Sequence, residues 1–194
     1  LARAMDVLIG GLLLLPVLAV LGVLAVLIKL DSPGSPFFSQ VRTGHGGRRF
    51  RMYKLRTRVR NAEELKQKYM HLNELAYPDF KITDDPRMTR VGRFLRKTSL
   101  DELPQLLNVL KGDMTLVGPR PTSFSPQRYR LWHTARLQIK PGLTGLWQIS
   151  GRSELEFDER VRLDVAYARN RCLWLDLQIL MRTALCVFHG RGAS

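Results

Sequence analysis

One stretch governs how this chain can fold: from Val7 to Ile28 it reads VLIGGLLLLPVLAVLGVLAVLI, with no charged residue. As a helix these residues reach roughly 33 Å, the hydrocarbon thickness of a bilayer. The run is too long for the apolar part of a signal peptide, and no small-x-small cleavage site precedes Lys29. It is therefore read as a membrane element. Pro16 lies near its centre, where proline removes a helical hydrogen bond and bends the axis. Positive charge flanks both ends: Arg3 before the run, and Lys29, Arg42, Arg48, Arg49 and Arg51 after it. Cations favour the cytoplasmic side, so both ends claim that side. A bent, re-entrant helix satisfies both claims, and an ordinary spanning helix with a tolerated proline is the alternative.

The remaining chain suits one domain. Its 31 lysines and arginines against 17 acids give a net charge of +14, which favours anionic partners: nucleic acid, anionic lipid or phosphorylated small molecules. Charge alone does not choose among these. The two cysteines, Cys172 and Cys186, form no CxxC pair, so neither a zinc site nor a disulfide framework is expected. The chain opens on Leu1 rather than Met, and it is expected to be part of something longer.

After the turn-rich DSPGSP at Asp31 to Pro36, Phe37 to Tyr53 reads as a β-hairpin around Gly44, Gly46 and Gly47. Asn61 to Tyr77 reads as an amphipathic helix, with Leu65, Tyr69, Leu72 and Leu75 on one side and Asn61 as its N-cap. Asp84, Asp85 and Pro86 form a turn, and helices follow at Leu100 to Leu110 and Phe157 to Arg169. Leu173 to Phe188 is apolar but carries Asp176 and Arg182, which fits a core helix or one lying in a membrane interface. The expected fold is α+β and mostly helical: a membrane helix over residues 1–30 and one continuous unit over 31–194.

The most informative segment is SLDELPQLLNVLKGDM, Ser99 to Met114. Asp101 and Glu102 are adjacent acids among Arg90, Arg93, Arg96, Lys97 and Lys111. Ser99 and Glu102 fit a capping box, or the helix begins at Pro104 with both acids on the preceding turn. Either way a helix N-terminus is expected to hold their pKa values low. A low-pKa carboxylate serves as a nucleophile or a metal ligand, and paired hard oxygens suit Mg²⁺. Arg120 stands between prolines in LVGPRP, a rigid presentation for a phosphate. Lys54 and Arg56 share a strand face in YKLRT by i, i+2 spacing. KPGLTGLWQISGR forms a loop with Gln148 and Arg152. No P-loop or GxGxxG appears, so phosphate would be held by side chains.

In their order, the proline-interrupted helix, IKLDSPGSPFFSQ, FRMYKLRT, TRVGRFLRKTSLDELPQLLNVLKGDMTLVGPRP, IKPGLTGLWQISGR and LDVAYARN followed by LWLDLQIL carry a specific resemblance. The chain resembles the bacterial sugar transferases, the monotopic polyprenyl-phosphate phosphoglycosyl transferases, over nearly its whole length. The resemblance implies that Asp101 attacks the sugar-linked phosphate of a UDP-sugar, expels UMP and carries a phosphosugar. Polyprenyl (undecaprenyl) phosphate then accepts it, the first membrane step of surface glycan biosynthesis, of exopolysaccharide or O-antigen. Mg²⁺ is implied at Asp101, with Glu102 supporting the metal or handling a proton. Pro119, Arg120 and Pro121 are implied near the nucleotide. Lys54, Arg56, Arg96, Arg152 and Asp164 match positions of a cationic pocket, and Gln148 joins them as a substrate-binding candidate.

The family resemblance also implies a re-entrant helix broken near Pro16 and a membrane-surface helix over Leu173 to Phe188. Some members carry serine before the proline, where this chain has Leu15. The implied partners are UDP-sugar, polyprenyl phosphate and membrane lipid rather than nucleic acid, with the body on the cytoplasmic face of the inner membrane; homo-oligomerisation stays open. Two rivals remain: a basic membrane protein that only binds anions, and a transferase that works by direct displacement.

Overall fold

The computed structural model describes residues 2–73, 82, 84–125, 127, 129–150 and 155–188. Helix α1 (Ala2–Asp31) runs unbroken with Pro16 inside it. Two buried clusters hold it against the rest of the chain. Leu21, Leu24 and Ile28 pack with Leu55 and Leu95, while Ile9 and Val17 lean on the cluster of Met52, Leu106, Val109, Met114, Leu116, Val117, Tyr167 and Ile179.

Both ends of α1 are gripped by the same body. Arg3 donates to the carbonyls of Val109 (2.5 Å) and Leu110 (2.7 Å). Asp6 is buried and accepts from Thr115 Oγ1 at 2.9 Å and the Leu116 N–H at 2.8 Å. At the other end Asp31 accepts the Val91 N–H at 3.0 Å. The outward side stays apolar and exposed, with Leu8, Leu12, Leu15, Val23 and Leu30 all uncovered. A soluble helix would put polar residues there; this helix is long and apolar enough to cross a membrane.

Strands β1 (Phe37–Thr43) and β2 (Arg49–Leu55) form the antiparallel hairpin expected from the sequence. Phe38 pairs with Lys54, Gln40 with Met52 and Arg42 with Phe50. Side chains of directly paired residues share a face, so these six residues lie on one side of the hairpin. A second sheet pairs β3 (Thr115–Val117) in parallel with β4 (Gly142–Thr144), a pairing no sequence pattern announced.

The amphipathic helix expected over Asn61 to Tyr77 shrinks to α2 (Glu64–Lys68) and a 3₁₀ turn at Met70–Leu72. Neither piece buries a residue, so tertiary packing does not offset the cost of nucleation. Asn61 contributes its carbonyl to the Leu65 N–H at 3.1 Å rather than a side-chain cap. Leu75 and Tyr77 lie outside the described residues.

Helix α3 (Arg90–Thr98) begins at a true cap, Thr89, whose hydroxyl accepts the Gly92 N–H at 3.0 Å. It ends at Ser99, which adopts the left-handed conformation (φ 58°) that closes a helix C-terminus. Ser99 is thus the C-cap of the helix before the dyad and makes no side-chain cap after it. A 3₁₀ turn over Leu100–Glu102 carries the two acids, and α4 (Gln105–Lys111) starts after Pro104. The capping box falls; the start at Pro104 stands.

Helix α5 (Leu146–Ser150) is short, and α6 (Phe157–Asn170) and α7 (Leu173–Phe188) close the fold. Ile179 and Asp176 of α7 face inward, and Asp176 accepts from the buried Tyr167 hydroxyl. Trp174, Leu177, Met181 and Leu185 remain exposed. Of the two charges on this helix, Asp176 is absorbed by the body, while Arg182 is exposed alongside the outward apolar residues.

Candidate active site

The dyad sits where three segments meet: the 3₁₀ turn after α3, the end of β2, and the loop after β3. Lys54 projects from β2 towards both acids. Its Nζ lies 2.9 Å from Glu102 Oε1 and 3.6 Å from Asp101 Oδ2. Arg120 approaches Glu102 as a fork, with Nη1 3.1 Å from Oε2 and Nη2 bonded to Oε1. Fork geometry of this type suits a carboxylate better than any lysine could.

The two acids differ in state. Burial pushes the Asp101 carboxyl above its ordinary value; Lys54 opposes the rise and the Glu102 charge adds to it. Burial would raise Glu102 as well, but Arg120 and Lys54 outweigh it and hold that carboxyl well below the usual range. The helix-dipole expectation of two low values thus fails for Asp101. A single-turn 3₁₀ segment has too few aligned peptides to overcome desolvation.

Glu102 is fully engaged, whereas neither Asp101 oxygen accepts a hydrogen bond from another described residue. Asp101 is therefore the acid available to a ligand. Among the described residues no group of three or more acidic, histidine or cysteine side chains converges as a cage. One free carboxylate fits Mg²⁺ nonetheless, because that ion takes one or two carboxylates with substrate phosphates completing its shell.

Around this pair the structure gathers some of the expected residues and not others. Arg96, in the last turn of α3, acts on Asp101 electrostatically, and its Nη1 lies 3.6 Å from Met88 Sδ. Pro119 and Pro121 line a small cavity beside Arg120, together with Thr43, Tyr129 and Arg136. Asp164 on α6 is buried behind them, 2.6 Å from Arg136 Nη2. Burial drives the Asp164 carboxyl up to about 6 despite Arg136, Arg160 and Arg120. Arg136 also donates to the Arg120 carbonyl at 2.5 Å, so Asp164 supports the Pro-Arg-Pro turn from below.

Arg56 goes elsewhere. Strand β2 ends at Leu55, the face alternation lapses, and the guanidinium binds the carbonyls of Pro33 (2.7 Å) and Ser32 (2.8 Å). It fastens the turn after α1. Gln148 is partly buried on α5, and its N–H donates to the Gly145 carbonyl at 3.1 Å. Arg152 lies outside the described residues.

Sequence reasoning missed Arg42, Arg49 and Arg136 as site residues. Arg49 donates to Thr43 Oγ1 at 2.6 Å and to the Phe124 carbonyl at 2.8 Å, holding the loop after the prolines. The hairpin alternation carried a signal for Arg42, two residues from Gln40 and on the Lys54 face. Arg136 lies in an irregular 3₁₀ stretch, Leu131–Gln138, without such a pattern.

Fold and site together define a small helical domain with a membrane-type helix laid along it and an asymmetric acid pair in a cationic recess. The chain belongs to the bacterial sugar transferase family, whose sequence profile matches residues 1–190. It is 47% identical over 171 residues to the undecaprenyl-phosphate galactose phosphotransferase of Salmonella typhimurium, covering 85% of this chain and 36% of that protein. It is 46% identical over 182 residues to the galactosyl transferase CpsE of Streptococcus agalactiae, covering 91% and 40%. The UDP-glucose:undecaprenyl-phosphate glucose-1-phosphate transferase of Caulobacter vibrioides is 43% identical over 192 residues, covering 93% and 67%. The chain spans about two fifths of the length of the first two relatives.

Proposed function

We propose that the chain transfers a sugar-1-phosphate from a UDP-sugar to undecaprenyl phosphate, through a phosphosugar carried on Asp101. The observation that carries this reading is the asymmetry of the dyad: Glu102 is clamped by Arg120 and Lys54, while the adjacent buried Asp101 accepts no hydrogen bond from another described residue. Relatives named for undecaprenyl-phosphate transfer of galactose phosphate and of glucose-1-phosphate support the substrate classes.

In the first half-reaction an Asp101 oxygen attacks the sugar-linked phosphorus. The bond to the bridging oxygen breaks, and UMP departs with that oxygen. In the second, a phosphate oxygen of the lipid attacks the same phosphorus, the aspartyl bond breaks, and a polyprenyl-diphosphate sugar leaves with Asp101 restored. Repulsion between a carboxylate and a phosphodiester opposes the first step, and preorganised cations lower it. Lys54 beside Asp101 is the nearest of them, and Arg120 is fixed by Glu102 and by Arg136 behind it. Asp101 is the ligand this chain offers to magnesium, which when bound neutralises diphosphate charge.

The membrane placement belongs to the same proposal. Both ends of α1 hold the one body, through Arg3 and Asp6 at the start and Ile28 and Asp31 at the end. A helix that crossed the bilayer would carry Arg3 away from Val109, so the contacts support re-entry from one side; that this side is the cytoplasmic face of the inner membrane is part of the proposal and rests on the flanking cations. Trp174 and Leu177 of α7 are exposed as an interface helix requires.

Incubation with UDP-sugars and magnesium, followed by intact mass measurement, tests the mechanism. A gain of one phosphosugar is expected, and its mass identifies the sugar. Asp101→Asn is expected to lose both the adduct and UMP release. Ordinary turnover by that variant, or UMP release only in the presence of acceptor lipid, would favour direct displacement instead.

A further inference from the structure

Arg42 stands next to the dyad's clamp without a counter-charge of its own among the described residues. Its strand neighbour Thr43 donates its N–H to the Thr122 carbonyl at 2.9 Å, which stitches the end of β1 to the residue following Pro-Arg-Pro. The register sets the Arg42 side chain on the Lys54 face of the hairpin. After burial, the groups weighing most on it are Arg120, Glu102, Arg49 and Tyr129, and the net effect pushes its guanidinium down to about 10. It stays charged at neutral pH.

The partners of Arg42 do not match that charge. Nη2 donates to the amide oxygen of Gln40 at 2.6 Å, and the Nε–H is buried with no acceptor among the described residues. Glu102, the acid closest in influence, is already engaged by Lys54 and Arg120. The fully buried arginines Arg87 and Arg136 are treated differently. Arg87 forks onto Asp85 at 2.8 Å through both Nε and Nη2, and Arg136 meets Asp164 at 2.6 Å. A half-buried cation whose buried Nε–H is vacant, beside two like charges, is costly unless an anion arrives to complete it.

We propose that Arg42 binds a phosphate oxygen of a substrate, alongside Arg120, with its unpaired Nε–H as donor. This rests on the transferase reading above and adds a binding residue to it. The phosphate belongs either to the UDP-sugar diphosphate or to the polyprenyl phosphate, since both present the same oxygens to a guanidinium fork.

The test uses the full chain in lipid, with donor and acceptor titrated separately for wild type, Arg42→Gln and Arg42→Lys, and thermal unfolding recorded for each. Arg42→Gln is expected to raise the half-saturating concentration of one substrate about tenfold or more and to leave the other unchanged. A shift for UDP-sugar assigns the diphosphate; a shift for the lipid assigns its monoester. Lysine is expected to recover only part of the loss, because it restores charge without the fork. If the glutamine variant does not fold, the lysine variant carries the same comparison.

Wild-type half-saturation for both substrates in a folded variant would overturn the assignment. Equal weakening for both with full recovery by lysine would also overturn it, as that pattern marks a structural charge. A wild-type chain that releases no UMP from any UDP-sugar sinks the transferase reading itself, whereas an active wild type with an unaltered Arg42→Gln sinks Arg42 alone.

Discussion

Replacing Glu102 with glutamine keeps the side-chain shape and deletes the one charge on which Lys54 and Arg120 converge. Breaking a buried ion pair from one side costs about 3–5 kcal/mol. Arg120 is 27% exposed and Lys54 17%, so solvent screens part of the loss and the lower end, about 3 kcal/mol, applies. For a chain of this length that corresponds to a fall of about 6–12 °C in Tm. The pH dependence has its own sign. Asp101 is raised by burial, lowered by Lys54 and raised again by Glu102. The substitution removes the last contribution and frees Lys54 to turn towards Asp101, so the raised carboxyl moves back down. On the proposed mechanism Asp101 must be anionic to attack, so UMP release is expected to fall as pH drops through its folded value. The acid limb of the donor half-reaction is therefore expected at lower pH in Glu102→Gln than in wild type, whatever happens to the plateau rate. Thermal unfolding and UMP release across pH measure the two effects. An unchanged Tm together with an acid limb that stays or moves to higher pH would refute the reasoning.

Asp164, with its carboxyl raised to about 6 against an ordinary value near 4, takes up a proton in the folded state before the unfolded chain does. Its contribution to stability is lost as pH rises from about 4 through 6, so denaturant midpoints of wild type should gain over that window on acidification relative to Asp164→Asn; parallel curves would contradict it. Gly92 admits no side chain, because a Cβ there would lie 2.0 Å from the Thr57 carbonyl oxygen. Gly92→Ala is expected to lower Tm by several degrees, through an overpacking cost of about 1–3 kcal/mol or more. Gly11→Ala, with nothing within 4 Å of the new methyl, is expected to leave the unfolding curve in place or raise it.

What the sequence made legible follows from length and period. An apolar run of helix length, an alternating hairpin and the long α6 and α7 carry their signals locally, and each formed where its pattern lay. The acid pair stood out because two carboxylates among arginines are chemically conspicuous, and the order of motifs tied them to a family. Ser99 misled because serine three residues before glutamate has the same spelling whether it opens a helix or closes the one before; only the backbone, at φ 58°, decides. The β3–β4 pair was beyond reach, since three-residue strands joined through distant sequence have no alternation to read. The sequence could not separate the placements of Arg56 and Arg42 for a related reason: one lies just past the end of a strand and the other just before a turn, and charge composition treats them alike.

Asp6 and Arg3 reach further than anchoring. Arg3 holds the last carbonyls of α4, the helix that leaves the dyad, and Asp6 holds Thr115 and Leu116, from which the backbone runs on to Arg120. The leading turn of the lipid-facing rod is thus bolted to both rails between which the carboxylates and their guanidinium are suspended. A change in the rod's pitch would therefore be transmitted to the spacing of those rails.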